Sequence, residues 1–408
     1  MLFSRPTKAL GIDIGTHSVK AVQMSRYAGR IRIENAGYYA CDRNQLNADP
    51  VLAQATAVRE ALRSISTVQN YVVGALPGQT VVIRYPRLPK MPESDLAAAI
   101  EKEAGQNIPY ELSEVFLDWA LLDEVSEAGK NMMKVLLVAA RYEVIESRVQ
   151  IAQEAEIAYS ALSVDSLALA DAAEACDFLR VGESVALINL GATTTSIHFV
   201  KDGKSNFIRD VSWGSRELIQ AIAKARRVEL NEAEKLLIQS GAPAPPAPPP
   251  LPEVEEEPEP PEPPKKDILG DLGGGLLDPL DEELSGLEEP GSAKVKASAP
   301  KAAEEKSLGE VLAMPFARLV SEIRRSFDYY EQQLYEHPVD RLILSGGVAH
   351  LPLLRETLAE ELGAPVELAD PTHSALLLGQ DHLISPMLNQ PAQFMVAVGL
   401  AARGMADL

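Results

Sequence analysis

The sequence predicts an α/β fold built from two related halves. Residues 9–34 and 185–209 share one order of features: an apolar strand, a tight turn of small residues, a second strand, a polar glycine turn and a third strand. This order is typical of consecutive β-hairpins, and its recurrence indicates a duplicated domain. Residues 241–306 differ in composition, since they contain 15 of the 29 prolines, 16 acidic residues and 6 basic residues. They are predicted to form a disordered acidic insert that divides the second half.

The first half continues from its hairpins into further helices and strands. Apolar residues at helical spacing predict a helix over residues 93–106, which Pro109 stops. The apolar run 134–140 predicts a buried strand, and residues 144–154 predict a second helix. We therefore expect a small α/β subdomain inserted in the first half.

The second half resumes after the insert with a long helix. Apolar side chains recur at helical spacing from Phe316 to Leu334. Pro315 is expected in the first turn of this helix, where a proline is tolerated. Residues 341–345 then predict a buried strand that ends in Gly346-Gly347.

These features predict an order of domains along the chain. Within the insert, the Ile and Leu residues of 267–287 leave two readings open: a solvated acidic spacer, or a segment that folds on a partner. The predicted boundaries are 1–77 for the first part of lobe I, 78–155 for the small subdomain, 156–182 for the return to lobe I, 183–240 for the first part of lobe II, 241–306 for the insert, and 307–408 for the rest of lobe II with a closing helix that returns to lobe I.

Composition excludes several classes of protein. The net charge of −21 disfavours nucleic acid as a partner, because the phosphate backbone is itself negative. The two cysteines, Cys41 and Cys176, have no nearby cysteine or paired histidine, so they indicate neither a disulfide framework nor a zinc site. Residues 1–6 lack the apolar core of a secretory signal, and no run approaches the roughly 18 apolar residues of a membrane span. We expect a cytoplasmic protein without direct membrane insertion.

The two small-residue turns and the Gly-Gly strand end predict a nucleotide site between the halves. A turn of Gly, Thr and Ser can present backbone N–H groups and hydroxyls to phosphate oxygens. Asp13, at the end of the first strand, can hold the waters of Mg²⁺, and Lys20 can reach a phosphate as a point charge. A P-loop enzyme is excluded, because the chain has no Gly-x4-Gly-Lys-Ser/Thr string.

The string from Gly11 to Lys20 resembles the first phosphate loop of the actin-like ATPases, and other strings resemble the PilM family of type IV pilus assembly within that superfamily. The resemblance extends over almost the whole chain outside the insert. The strings that carry it are Leu76-Pro77-Gly78, Leu88-Pro89 with Met91-Pro92-Glu93, Glu103 with Ile108-Pro109-Tyr110, Asp118, Val164-Asp165, Ala233-Glu234, Glu322 to Ser326 and Leu344 to Gly347.

The resemblance implies an actin-like fold, that is, a duplicated ribonuclease-H-like fold, with ATP and Mg²⁺ as ligands. Asp13 would face Mg²⁺ through water, and Glu234 would contact the ribose. The remaining nucleotide-binding residues that it implies are Gly15, Thr16, His17, Ser18, Lys20, Gly191, Ala192, Thr193 and Thr194 at the phosphates, and Gly346 and Gly347 on the adenosine side.

Three positions bear on catalysis. Asp165 matches the acid that orients the attacking water in bacterial actins, but it is equally compatible with an N-cap for a helix over residues 166–173. Asn189 stands where the second phosphate loop normally begins with Asp, and Leu237 stands where the ribose-contacting helix usually carries Lys. We therefore expect ATP binding, with hydrolysis slow or absent.

The family resemblance implies a scaffold of the type IV pilus machine, peripheral to the inner membrane. Its implied partners are the N-terminal cytoplasmic peptide of PilN, through it the inner-membrane PilN/PilO complex, and the pilus motor ATPases. The peptide is expected between the small subdomain and the phosphate-binding lobe. The alternatives are a filament-forming division-type actin, although residues 401–408 are too short and uncharged for its usual membrane helix, and a sugar or acid kinase, whose catalytic Asp has no clear local pattern here.

Overall fold

Two β-sheets with the same strand order form the frame of the protein. The computed structural model describes residues 7–68, 70–127, 130–240, 306–334, 336 and 338–406. The strands are β1 Lys8–Ile14, β2 Ser18–Tyr27, β3 Arg30–Ala40, β4 Tyr71–Leu76, β5 Val81–Arg84, β6 Arg87–Pro89, β7 Val115–Glu127, β8 Lys130–Arg141, β9 Ala161–Val164, β10 Ser184–Leu190, β11 Thr195–Lys201, β12 Lys204–Val211, β13 Arg341–Gly346, β14 Val366–Leu368 and β15 Leu377–Leu378.

Helices cover both sheets. Short 3₁₀ turns and one π turn at Tyr329–Gln333 complete the connections. The α-helices are α1 Arg43–Ala48, α2 Pro50–Ala61, α3 Glu93–Asn107, α4 Tyr142–Glu154, α5 Asp165–Ala175, α6 Ser215–Arg226, α7 Leu230–Ser240, α8 Leu308–Asp328, α9 Pro352–Leu362, α10 Asp381–Asn389 and α11 Met395–Met405.

The strand orders confirm the predicted duplication. The lobe I sheet runs β15-β3-β2-β1-β4-β9, and the lobe II sheet runs β12-β11-β10-β13-β14. In each lobe three antiparallel strands are followed by two parallel ones, so that β1 corresponds to β10 and β4 to β13. This is the actin-like, duplicated ribonuclease-H-like fold, and β15 adds one further strand to the outer edge of lobe I.

The two glycine turns have the geometry that the sequence favours. Ala28 and Gly29 have φ of 49° and 78°, and Asp202 and Gly203 have φ of 51° and 74°. Two consecutive positive φ values define the type I′ turn, whose twist matches that of the flanking strands. Glycine at the second position adopts this conformation without strain from a Cβ atom.

A small sheet lies between β4 and β9 in the chain. Its strands β5, β6 and β7 all pair with β8. The predicted apolar stripe of α3 is buried against this sheet, where Leu96, Ile100 and Ala104 share a core with Val135 and Leu137. This cluster is separate from the cores of the two lobes, and it gives the small sheet a core of its own.

Helix α8 forms the back of lobe II, and the expected place of Pro315 in its first turn is wrong. The helix begins about two turns earlier, because Ser307 and Glu310 form a reciprocal capping box. Pro315 therefore lies in the helix interior, where it donates no backbone hydrogen bond. Its carbonyl accepts a bond of 2.9 Å from the buried indole of Trp213, which joins the helix to the lobe II core.

The C-terminal helix α11 returns the chain to lobe I. It contacts α5 and β1, and nearly all of its side chains are buried. Arg403 of α11 forms an ion pair of 2.7 Å with Asp171 of α5. Within the described ranges, no helix combines the length and the apolar character needed to cross a bilayer. The predicted insert lies outside the described residues, apart from Lys306.

Candidate functional site

Two hairpin loops face each other between the lobes. In the loop between β1 and β2, the Gly15 N–H donates to the Ser18 carbonyl over 3.1 Å; in the loop between β10 and β11, the Gly191 N–H donates to the Thr194 carbonyl over 2.9 Å. The hydroxyl oxygens of Thr16 and Thr193 lie 3.4 Å apart. The two predicted phosphate loops therefore have matching geometry and meet at one place.

An acid and a base lie behind the first loop. Asp13 and Lys20 are register partners of β1 and β2, and Lys20 Nζ lies 3.4 Å from Asp13 Oδ2. Both side chains are mostly buried. This spacing keeps the lysine beside the loop and leaves the second carboxylate oxygen of Asp13 outside the ion pair.

The Gly-Gly strand end closes the cleft from lobe II. Gly346 has φ of 98°, and a Cβ atom there would clash with the backbone of Leu190. The Gly347 N–H donates to the Leu190 carbonyl over 3.1 Å. Glycine is required at residue 346 by both its conformation and its contact, and this holds β13 close to the second loop.

These pieces enclose a cleft of about 300 Å³. Every residue that the sequence predicted to bind a nucleotide or a metal lines it, with the exception of Glu234. Those residues are Asp13, Gly15, Thr16, His17, Ser18, Lys20, Gly191, Ala192, Thr193, Thr194, Gly346 and Gly347, and Asp165 joins them.

Glu234 lies beside the cleft, in contact with lobe I. Its carboxylate, on α7, accepts a bond from the Arg43 guanidinium on α1, and its other oxygen lies 3.4 Å from His17 Nε2. Arg43 also donates to the Asn231 side chain over 3.0 Å. Burial lowers the pKa of His17, while the Glu234 charge acts in the opposite direction. Glu234, the predicted ribose ligand, therefore forms an ion pair that joins the two lobes.

Asp165 is the first residue of α5, and Val164 occupies the N-cap position. Its Oδ1 accepts backbone hydrogen bonds from Ser166 over 2.6 Å and from Gly78 over 2.9 Å. Burial, together with the Asp210 and Asp13 charges, raises the pKa of Asp165 to about 7, although the two backbone hydrogen bonds act in the opposite direction. The side chain stabilises local backbone and also lines the cleft, so its role toward water stays a prediction.

Asp210 is an acidic neighbour that sequence reasoning missed. It lies on β12 of lobe II, where Ser196 donates to it. A Cβ atom on Gly78 would clash with Asp210 Oδ2 and would lie 3.0 Å from Asp165 Oδ1. One carboxylate from each lobe therefore meets at Gly78, and burial raises the pKa of Asp210 as well. The local sequence of β12 contains no signal for this pairing.

Arg148 is a second residue that the sequence analysis missed. It lies on α4, lines the cleft, and is only 8% exposed. Its Nη1 donates to the Ile14 carbonyl over 3.3 Å. The signal that the sequence offers for it is helical spacing, which places Arg148 on the same face of α4 as Ile145, Ile151 and Ala152, where an apolar residue would be expected.

The two departures from the family pattern have different surroundings. Asn189 lines the cleft, and its Oδ1 accepts a bond of 3.3 Å from the Ser345 hydroxyl. Leu237 is buried in the lobe II core and is not among the residues that line the cleft. A neutral side chain thus stands in the cleft at residue 189, while residue 237 contributes to packing.

A second concave site lies between the small sheet and lobe I. It is a groove of about 440 Å³, and one wall is β9, which pairs only with β4 among the described strands. The Tyr159 and Ser163 hydroxyls at this wall are buried without a hydrogen-bond partner among the described residues. The groove is mostly apolar, and its lining includes Leu76, Phe116, Asp118, Val138, Ala140, Ile145, Val149, Leu162, Val164, Leu167 and Arg403.

A buried chain of hydrogen bonds joins the small sheet to both lobes. Tyr85 lies 2.7 Å from the Ser205 hydroxyl, which lies 2.7 Å from His198 Nε2, and His198 Nδ1 lies 2.8 Å from the Ser166 carbonyl. Burial lowers the pKa of His198 to about 4, so the ring is neutral. Its Nδ1 donates to the carbonyl and its Nε2 accepts from Ser205. The chain ends beside Asp165, at the start of α5.

Comparison with known proteins gives a family match. A family model described as type IV pilus assembly protein PilM matches residues 11–245 and 284–405. The solved structure of a PilM-PilN type IV pilus biogenesis complex is 22% identical, covers 98% of this chain and 99% of its own, and has a TM-score of 0.72. Ethanolamine utilization protein EutJ from Carboxydothermus hydrogenoformans is 12% identical over 98% and 90% of the two chains, with a TM-score of 0.49.

Proposed function

The chain belongs to the PilM family of type IV pilus assembly proteins, and on this premise we propose that it is an ATP-binding scaffold that docks the N-terminal cytoplasmic peptide of PilN. The observation that carries the proposal is a connection in the chain. Strand β9 forms a wall of the groove, has one edge that no other described strand pairs with, and is followed directly by Asp165, which lines the cleft. One strand thus links the place proposed for a peptide to the place proposed for a nucleotide.

The donor set of the cleft fits a nucleotide with a hard cation. The facing loops bring two threonine hydroxyls within 3.4 Å of each other, and Lys20 adds a positive charge. Gly347 leaves open space where another residue would carry a Cβ atom, so ligand atoms could approach the backbone there. Carboxylate and hydroxyl oxygens are the ligands that Mg²⁺ uses, directly or through water.

Individual roles follow from these positions. Asp13 would hold the waters of Mg²⁺, and Lys20 would contact a phosphate. The loops 15–18 and 191–194 would bind the phosphates, and Gly346 and Gly347 would lie on the adenosine side. Glu234 would contact the ribose after release from Arg43. Bound Mg²⁺ would offset negative charge on the phosphates.

Slow turnover is part of the proposal. Asn189 offers the cleft an amide where a carboxylate would help to hold Mg²⁺ or the attacking water. The remaining candidate base is Asp165, whose pKa burial raises to about 7. A pKa near the working pH suits a general base, so the slow turnover that we propose follows from Asn189 and not from Asp165. ATP would then act mainly as a ligand that sets how the lobes sit.

The groove supports the docking of an extended peptide. A chain laid along β9 could pair with its free edge, and its alternate side chains could enter the apolar lining. Phe116 is 55% exposed at the groove, so its ring is accessible to a side chain of a bound peptide. Through PilN the protein would associate with the inner-membrane PilN/PilO complex on its cytoplasmic side, where the pilus motor ATPases are further candidate partners.

The test is a titration of a synthetic peptide with the first residues of the PilN encoded alongside this protein. Calorimetry with and without Mg-ATP should show saturable binding, with an affinity that changes when the nucleotide is present. A peptide of the same composition in scrambled order serves as the control. No binding of the native peptide to the folded protein in either state would overturn the scaffold proposal and favour the filament-forming alternative.

A further inference from the structure

Arg148 places a positive charge inside the cleft that the roles above leave unused. Its side chain projects from α4, is 8% exposed and lines the cleft. The single hydrogen bond that the structure gives it joins Nη1 to the Ile14 carbonyl over 3.3 Å. Within the described ranges, no carboxylate oxygen lies within 4.0 Å of the guanidinium.

Such a charge is costly to bury without a counter-ion. A guanidinium has five N–H donors, and a buried arginine in a folded protein is ordinarily paired with a carboxylate or a phosphate. Tyr159, Asp13 and Asp165 all act on Arg148 electrostatically, but among the described residues the Tyr159 hydroxyl has no hydrogen-bond partner and neither carboxylate approaches the guanidinium to ion-pair distance. Most of the donors of Arg148 therefore remain available to an anion that enters the cleft.

The position of Arg148 defines which part of an anion it can reach. Ile14, whose carbonyl it contacts, directly precedes the first phosphate loop, residues 15–18. Asp165, the candidate for orienting the attacking water, acts on the same guanidinium. The Gly346-Gly347 turn, on the proposed adenosine side, belongs to lobe II. Arg148 thus reaches the cleft from lobe I, at the end where the last phosphate would lie.

We propose that Arg148 is a ligand of the terminal phosphate of the bound nucleoside triphosphate, an inference that rests on the proposed ATP binding. The planar fork of a guanidinium matches two oxygens of one phosphate group, which a lysine cannot do. Arg148 would neutralise negative charge on the terminal phosphate. A carboxylate at residue 189 would do so indirectly, by helping to hold Mg²⁺, but the neutral amide of Asn189 does not. Arg148 makes the cleft selective for a triphosphate over a diphosphate.

The test compares ATP and ADP affinities in Arg148→Gln and in the native protein by calorimetry with Mg²⁺ present. We expect ATP to bind about tenfold or more weakly to the variant, since a charge-assisted contact is lost, while the ADP affinity changes less than about twofold. Arg63→Gln, at an exposed arginine in the turn that follows α2, is the matched control and should change neither affinity. Circular dichroism and the thermal midpoint report whether each variant is folded.

Arg148→Lys is the second variant, in case Arg148→Gln does not fold. It keeps the charge and loses the fork, so the ATP affinity should fall by an intermediate factor with the ADP affinity unchanged. Equal losses for ATP and ADP, or no loss for either, in a folded variant would overturn the proposal and leave Arg148 a structural residue for the first loop. If the native protein binds neither nucleotide, the proposed ATP site itself fails, and that pattern differs from both others.

Discussion

The guanidinium of Arg43 on α1 donates to the carboxylate of Glu234 on α7 and so joins lobe I to lobe II beside the cleft. His17 lies 3.4 Å from the second oxygen of the same carboxylate. Both members of the ion pair are partly exposed, so its contribution to stability is modest. A carboxylate engaged in this way is not free to contact a ribose, and nucleotide binding therefore has to compete with Arg43 for Glu234.

The first prediction follows from this competition. Arg43→Ala should raise the nucleotide affinity by about two- to fivefold, because a partly exposed pair contributes up to about 1 kcal/mol. Glu234→Ala should lower the affinity. Calorimetry with ATP measures both, and Arg63→Ala is the control for the loss of a surface arginine. A weaker affinity in Arg43→Ala would show that the pair assembles the site instead of blocking it.

The second prediction concerns Asp13. Asp13→Ala removes the carboxylate beside the first phosphate loop and should weaken Mg-ATP binding by about 1–3 kcal/mol, the range for losing a charged partner. The loss should be smaller when Mg²⁺ is omitted, because the aspartate is proposed to act through the ion. Glu146→Ala, at an exposed acid of α4, is the control. Unchanged affinity in Asp13→Ala would contradict the assignment of this cleft.

The third prediction concerns turnover. Asn189→Asp restores a carboxylate at the start of the second loop and should raise the steady-state rate of phosphate release above the slow rate of the native protein. Asn189→Ala is the matched control, since it removes the amide without adding a charge, and it should not raise the rate. Rapid phosphate release by the native protein would show that Asn189 does not limit hydrolysis.

Local signals explain why the loops could be predicted from the sequence. Each loop lies in a hairpin between adjacent strands, so residues such as Asp13 and Lys20 are brought together by a turn of a few residues. Asp210 and Arg148 reach the cleft through tertiary packing, from a strand of lobe II and a helix of lobe I. No spacing in one sequence encodes such a contact. The prediction for Pro315 was wrong for a different reason. Proline usually prefers the first turn of a helix, but here the Ser307 capping box starts the helix about two turns earlier.

The fourth prediction concerns pH. Burial raises the pKa of Asp165 from its ordinary value of 3.8 to about 7. Between these values the unfolded chain has released a proton that the folded protein retains, so this group lowers the free energy of unfolding as pH rises from about 4 to about 7. The groups that face Asp165 are Asp210, Asp13 and Arg148.

Asp165→Asn removes this contribution and keeps an oxygen for the Gly78 and Ser166 N–H groups. The variant should therefore gain stability relative to the native protein as pH rises, by about 1–4 kcal/mol at pH 8 compared with pH 4. Urea unfolding at several pH values measures the difference, with the exposed Glu146→Gln as control. A difference that does not change with pH would mean that Asp165 is ionised in the folded protein throughout this range.

The fifth prediction tests the coupling between groove and cleft. Phe116→Asp places a charge at an exposed aromatic of the groove and should weaken binding of the PilN peptide by about tenfold or more, because apolar contact is replaced by a desolvated carboxylate. Leu121→Asp lies on the same strand outside the groove, is 47% exposed against 55% for Phe116, and should leave the peptide affinity unchanged. Direct ATP binding should be intact in both variants.

The coupling itself is measured in the native protein. Linkage requires that the factor by which ATP changes the peptide affinity equal the factor by which the peptide changes the ATP affinity. Native protein in which the peptide binds tightly but neither ligand affects the other would show that the connection through Val164 and Asp165 transmits no coupling.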